Sequence, residues 1–429
     1  MRKRISYILV ALMMASMVTA CGSADTTSNK NESVSENKDN NSKDEALITT
    51  ANITSDGQID ATDMFTERDL AQNADLSEAE NITLKDGEDV TITKEGVYVI
   101  SGTASDVTIF VEDADEEKVQ IVLDGASITN EDSPCIYVKS GDKVFVTTTD
   151  GSENSMTVSG TFVADEDNNL DAVIFSKEDL VLNGLGTLNI NSSDNAVTSK
   201  DTLKVTGGNI NIECTGSALE AHDAIEVADG NLTVTSCNDG LHAEDDEDDS
   251  VGYVYICGGT FNITANDDAI HGTTIVQIDG GDFTLVGAEC IEGTYIQIND
   301  GTINISATDD GINGAQKSSQ YTPTYEQNGG EVTIVMGQGD TDGVDVNGNI
   351  YMNGGTLDIS GQSTFDYDGT AEYNGGSIIE NGTETNTMTN QMMGGPGGGG
   401  MGPGGGMGPG GDMEPGGDMG PGGGGRGGM

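Results

Sequence analysis

Tryptophan is missing altogether, and aromatic residues make up only 4% of the 429 residues. A sugar-binding face built from stacked rings has little to draw on, and exposed tyrosines are the best rings available. Between residues 69 and 425 there is no arginine. Lys and Arg number 17 in the whole chain against 73 Asp and Glu, a formal charge of −56. With no basic stripe to replace phosphate counterions, nucleic acid is excluded as a partner. A polyanionic glycan would be repelled too, unless cations bridged it. Long apolar runs are also scarce. The stretch from Ile5 to Met17 is too short to span a bilayer. It follows Arg2, Lys3 and Arg4, as the apolar part of a signal peptide does.

What is present at that end matches a lipobox: Val18-Thr19-Ala20-Cys21. Cleavage after residue 20 would leave Cys21 lipidated and the protein anchored to the outer face of a membrane. An ordinary secretory signal is the alternative. Residues 21–58 are Ser, Asn, Asp, Lys and Thr with almost no apolar content, which reads as a disordered linker. From about Met388 to Met429 the chain repeats Gly, Met and Pro and reads as a disordered tail. Five cysteines remain after Cys21, an odd number. Cys214 and Cys237 are spaced to bridge adjacent repeats, with buried free thiols as the other reading.

The folded part, residues 80–382, repeats itself. A glycine followed by a short run of alternating apolar and polar residues recurs at Gly186, Gly208, Gly230, Gly259, Gly281, Gly301, Gly330 and Gly355. The steps are 22, 22, 29, 22, 20, 29 and 25 residues. A period near 22 marks a solenoid. Alternation with period 2 makes each run a strand. A second apolar run follows in most repeats, as in Ile225-Glu226-Val227 and Ile296-Gln297-Ile298. Several short strands per repeat predict an all-β chain, a parallel β-helix. Roughly ten coils at the strand spacing would make a rod about 50 Å long. Residues 80–146 read as the less regular opening coils.

Between the two runs lies an acidic cluster. Aligned on the next apolar residue, it stacks Asp239, Asp268, Glu289, Asp310 and Asp342 into one column, with Asp267 and Asp309 beside it. Unit charges one strand apart repel by about 1 kcal/mol even in water. The column therefore calls for cations, and calcium suits a set of carboxylates and turn carbonyls. A solvated acidic corner is the alternative. One step further on, Glu220, His242, His271, Glu292, Asn313 and Asp345 form a polar row. His242 and His271 are candidate sugar contacts. Two repeats carry insertions: an acidic run from Glu244 to Asp249, and residues 315–328 with Tyr321 and Tyr325. The acidic run is a cation trap or a loose acidic loop. The tyrosines are candidate stacking platforms or part of a packed flap.

Several stretches resemble a bacterial family of carbohydrate-binding domain-containing proteins. They are Gly96-Val97-Tyr98-Val99-Ile100-Ser101-Gly102, Val119 to Thr129, Gly151 to Ser155, Asp239-Gly240-Leu241-His242-Ala243 and Asp309-Asp310-Gly311-Ile312. The resemblance covers roughly residues 80–380. It implies a right-handed parallel β-helix similar to pectate lyases. It also implies binding of plant polysaccharide, polygalacturonate or cellulose, with calcium at the cell surface.

A lyase would need a base beside the uronate. Lys177, Lys200 and His222 fall at one corner of three successive coils and qualify, although each is also an ordinary solvated turn residue. A hydrolase of the polygalacturonase type would need Gly-His-Gly and Arg-Ile-Lys motifs. Only Ile270-His271-Gly272 comes near. Adjacent acids such as Asp267 and Asp268 would point to opposite faces of a strand. The expectation is a non-catalytic, calcium-loaded polysaccharide-binding module. A calcium-dependent lyase and a structural or adhesion protein are the alternatives.

Overall fold

A computed structural model describes residues 52–53, 57–113, 117–165, 168–245, 247–338 and 341–391. The signal peptide, Cys21, most of the linker and nearly all of the Gly/Met/Pro tail lie outside these residues. The described chain is all strand and turn. Its strands pair in parallel, apart from the short antiparallel pairs Asn52–Ile53 with Ile59–Asp60 and Ser377–Glu380 with Thr383–Thr385.

Each repeat contributes one strand to each of three sheets. The first sheet holds the glycine-led runs, from Glu153–Val158 through Thr260–Ala265 to Ser377–Glu380. The second holds the segments after the acidic cluster, from Ile136–Ser140 through Leu241–Ala243 to Ser363–Tyr367. The third runs from Lys143–Thr148 through Tyr253–Ile256 to Ala371–Tyr373. In two coils one strand runs through the corner and serves both second and third sheets, Ile270–Ile278 and Ile291–Ile298. This is the parallel β-helix that the repeat predicts.

Inward positions form unbroken apolar ladders. Leu188, Ile210, Leu232, Phe261, Phe283, Ile303, Val332 and Leu357 are consecutive partners in the first sheet. Phe261 and Phe283 stack with centroids 4.5 Å apart. Alternate residues of this sheet face water, so each strand reads buried, exposed, buried. The corner before the first sheet demands glycine. At Gly184 φ is +116°, and a Cβ would fall 2.2 Å from the Thr148 carbonyl oxygen. Amides stack along the same corner in later coils: Asn328 donates to Asn299, Asn353 to Asn328 and Asn374 to Asn353, each at 2.8 Å.

The middle of the third sheet is buried on both faces because a segment before the first coil covers it. Ile59 N donates to Gln277 Oε1 at 2.7 Å, and Lys204 Nζ donates to the Met64 carbonyl at 2.6 Å. The Arg68 guanidinium lies 4.6 Å from the Phe145 ring centre. Gln72 donates to the Thr206 carbonyl and accepts from Gly184 N. Residues 59–72 therefore form a strap outside the predicted span of 80–382. At the other end Met388 is buried, and Gln391 N donates to the Phe365 carbonyl. The packed region thus runs past residue 388, where the tail was expected to begin, because the last coil needs an apolar cover.

Candidate functional site

The outer row of the second sheet passes through Phe110, Tyr137, Phe175, Thr198, Glu220, His242, His271, Glu292, Asn313, Asp345 and Asp366 in register. Its first three rings pack on one another, and Leu170 covers them. The middle and far end carry the titratable groups.

His242 and His271 occupy adjacent coils, and their rings stack at 4.6 Å and 10°. Their Nδ1 atoms face the acidic corner. Glu292 Oε2 lies 2.7 Å and Asp268 Oδ2 3.1 Å from His271 Nδ1, and Asp239 Oδ2 lies 3.5 Å from His242 Nδ1. Their Nε2 atoms face Glu244, at 3.0 Å from His242 and 3.7 Å from His271. Burial opposes charge on His242, but Asp239 and Glu244 outweigh it and raise its pKa to about 10. Burial likewise opposes charge on His271, and Asp268 and Glu292 raise it. Glu292 is held well below the usual carboxylate range: His271 and Lys317 overcome its burial. Asp268 goes the other way, because burial outweighs its bond to His271. Its Oδ1 is buried without a hydrogen-bond partner.

Both insertions leave the helix at the corner between the second and third sheets. The first, residues 244–252, supplies Glu244. The second, residues 315–323, supplies Lys317, whose Nζ lies 2.9 Å from Glu292 Oε1. They meet where Ser319 N donates to Asp249 Oδ2 at 2.9 Å. The histidine pair and Glu292 thus sit between two walls. A shallow groove of about 550 Å³ runs along the second wall. A larger one, about 740 Å³, lies at a different corner, lined by paired glycines and by Asp229, Asp279, Asp282, Asp300 and Glu331. The former shares Lys317 with the cluster of imidazoles and paired charges, and we take the outer row of the second sheet, between the insertions, as the site.

The predicted acidic column does stack. Backbone carbonyls of Asp239, Asp268, Glu289 and Asp310 each accept from the coil before. Its side chains divide, however. Asp239 and Asp268 turn in to the histidines. Glu289 accepts from Asn313 at 2.6 Å, and burial pushes it up to about 7, aided by Glu292 and Asp268. Burial, then Asp345, Asp309 and Glu289, push Asp310 up to about 7. Burial and Asp366, Asp342 and Asp368 push Asp345 to about 6. Asp342 N donates to Asp310 Oδ1 at 3.2 Å. Asp267 and Asp309 are exposed. Among the described residues, the tight groups of three possible metal donors are His242, Glu244 and His271, and Asp268, His271 and Glu292.

The tyrosines separate. Tyr325 is fully buried in the inward ladder of the third sheet, between Ile296 and Ile350, with its hydroxyl bonded to Gln327. It is a core residue and offers no ring to a sugar; the strand resumes at Thr324, inside the stretch read as insertion. Tyr321 is half-buried, edge-on to Tyr295 at 6.2 Å on the third-sheet side. Lys200 and His222 do meet, Nζ to Nε2 at 3.0 Å, with Glu220 at 3.5 Å from the same amine. Lys177 is exposed. The five described cysteines form no disulfide with one another, Cys214 and Cys237 included, and burial pushes Cys135, Cys214 and Cys290 up to about 12. Lys317 was missed from sequence because it reaches the row from a loop 25 residues away from Glu292. No periodic signal marks it.

A three-sheeted parallel β-helix with a polar, charged outer row defines a repeat protein of the solenoid class. The chain belongs to the family of carbohydrate-binding domain-containing proteins, whose family model matches residues 86–343. A carbohydrate-binding domain-containing protein of Acetivibrio thermocellus is 39% identical over 123 residues, 28% of this chain and 43% of that relative. The match thus spans less than half of the relative's length. Among solved structures, a polysaccharide lyase-like protein from C. thermocellum, a gadolinium derivative, is similar at a TM-score of 0.39 and 22% identity. That similarity covers 70% of this chain and 96% of the other.

Proposed function

We propose that the protein is a cell-surface lipoprotein whose β-helix, right-handed and of roughly ten coils, binds acidic plant-type polysaccharide with calcium and without turnover. Family membership supports the carbohydrate. The lipobox ending at Cys21 and the polar linker support the anchor. The observation that carries the calcium reading is the crowding of Glu289, Asp310, Asp342 and Asp345. Burial, and then repulsion from neighbouring acids inside and outside this set, push three of these carboxyls up to about 6 or 7. At neutral pH such a group gains from a hard cation, which takes oxygen ligands and completes its shell with water and carbonyls. These four residues would hold the ion. Its chemistry would be to bridge protein and uronate carboxylates across a surface that otherwise repels them. Weak contacts repeated along the rod would add through effective concentration.

A lyase is the second reading, favoured by the Lys200–His222 pair. Pull-down on polygalacturonate with and without chelator, alongside an ultraviolet assay for unsaturated product, separates the two. The binding reading expects retention that chelation abolishes and no product. Retention indifferent to chelator removes the calcium bridge. Product that disappears in Lys200→Ala makes the protein a lyase.

A further inference from the structure

We infer that His242, Glu244 and His271 form a binding site for a zinc-class divalent transition metal, distinct from the proposed calcium carboxylates. The donors are His242 Nε2, His271 Nε2 and a Glu244 oxygen, all within 4.8 Å of one another. Glu244 Oε2 lies 3.0 and 3.7 Å from the two nitrogens. A tetrahedral ion about 2.0–2.2 Å from each ligand sets its donors roughly 3.3 Å apart. The two Glu244–histidine separations bracket that value, and the stacked rings, 4.6 Å and 10° apart, would tilt toward one another to close on a single ion.

The other ring nitrogen of His271 explains why its Nε2 is the open donor, whereas His242 Nε2 already bonds Glu244 and its Nδ1 is buried without a hydrogen-bond partner. A metal-bound imidazole ordinarily gives its second N–H to a carboxylate, which fixes tautomer and orientation. Glu292 and Asp268 stand at 2.7 and 3.1 Å from His271 Nδ1, and Asp239 at 3.5 Å from His242 Nδ1. Glu292 and Asp268 thus act as positioning residues for the His271 ring, and Glu244 holds the His242 ring from its Nε2 side. An independent observation points the same way. The His271 side chain is 4% exposed, and its Nε2 is buried with no hydrogen-bond partner. An orphaned buried nitrogen is costly unless something occupies it. Glu244, 40% exposed, opens the fourth position to solvent and to the space between the insertions.

Two imidazoles and one carboxylate favour zinc, nickel or copper over calcium, which prefers oxygen. The rival grouping of Asp268, His271 and Glu292 would use His271 Nδ1 and has a single nitrogen. It would leave His242 and Glu244 uninvolved.

The test uses full-length protein freed of metal by chelation, titrated with zinc by calorimetry in excess calcium. Cobalt(II) serves as a spectroscopic probe of tetrahedral nitrogen ligation. The expected result is one zinc per chain and an intense visible cobalt spectrum. His242→Gln and Glu244→Gln, which touch partly exposed side chains, should each lower affinity tenfold or more. Glu292→Gln should lower it by about 10- to 100-fold as a positioning residue. His271→Ala should abolish binding, with circular dichroism confirming the fold. Zinc displaced by calcium, no zinc binding by the parent protein, or unchanged affinity in His242→Gln and Glu244→Gln would overturn the site. The calcium reading can fail in the pull-down while this titration succeeds, and the reverse.

Discussion

Asp171 shows what burial does to one carboxyl in this protein. Its side chain is 17% exposed, and burial, then Glu220, push its pKa from 3.8 up to about 6 against the pull of Lys200. A carboxyl raised on folding holds its proton more tightly in the folded chain. Its contribution is present below the unfolded value and is lost as pH climbs through about 6. Burial and Asp201 move Asp179 the same way, against Lys143. Metal-free protein should therefore be less stable at pH 7.5 than at pH 5, with Asp171 accounting for roughly 1 kcal/mol. Asp171→Asn should flatten that slope. Melting temperatures at the two pH values in chelator would show it, and an unchanged slope in the variant would refute the assignment.

Strands and corners set the next scale. The inward ladder stacks like on like, so a single truncation leaves a void bounded by two neighbours that cannot collapse into it. Phe261→Ala should cost about 3–5 kcal/mol by chemical denaturation; a loss under 1 kcal/mol would mean the ladder repacks. The strap is a separate element with a polar hold on the third sheet. Gln72→Ala would strand Gly184 N and the Thr206 carbonyl, at a cost of about 1–3 kcal/mol. Removing residues before Glu80 should bare the outer face around Tyr255 and Ile275 and raise binding of a hydrophobic dye. If neither change has an effect, the strap is a passenger on that face.

Across the whole molecule, one charge dominates. With 73 acids against 17 basic residues, repulsion opposes the compact state, and a cation bound only by the folded chain relieves it. Saturating calcium at about 100 times its Kd should stabilise by roughly 2.7 kcal/mol. A melting temperature that does not move on chelation would exclude calcium as a resident ion. Glycan retention should fall more steeply with chelator than with monovalent salt, because bridging ions and screening act on different terms. Asp310→Ala should weaken retention, while Lys177→Ala should leave it intact.

The repeat was legible in the chain because a β-helix writes its fold locally. Glycine at Gly186, Gly208 and their equivalents, period-2 alternation and a stacked corner acid all follow from one coil's own geometry. The same register placed His242 beside His271 and lined up Glu220, Glu292 and Asn313. Direction within the corner was not legible. Asp239 and Asp268 turn toward imidazoles, and Asp267 and Asp309 turn to water, because neighbouring coils compete for the same pocket. Tyr325 read as part of an insertion, since a strand of four residues after a long loop carries too few alternations to be recognised. The strap, and Lys317 on Glu292, join residues that no period relates. Sequence alone determined the coil, because its pattern repeats within reach of itself. Tertiary structure alone decided which carboxylates meet which cations, because those contacts arise only once coils are stacked and the insertions fold back over them.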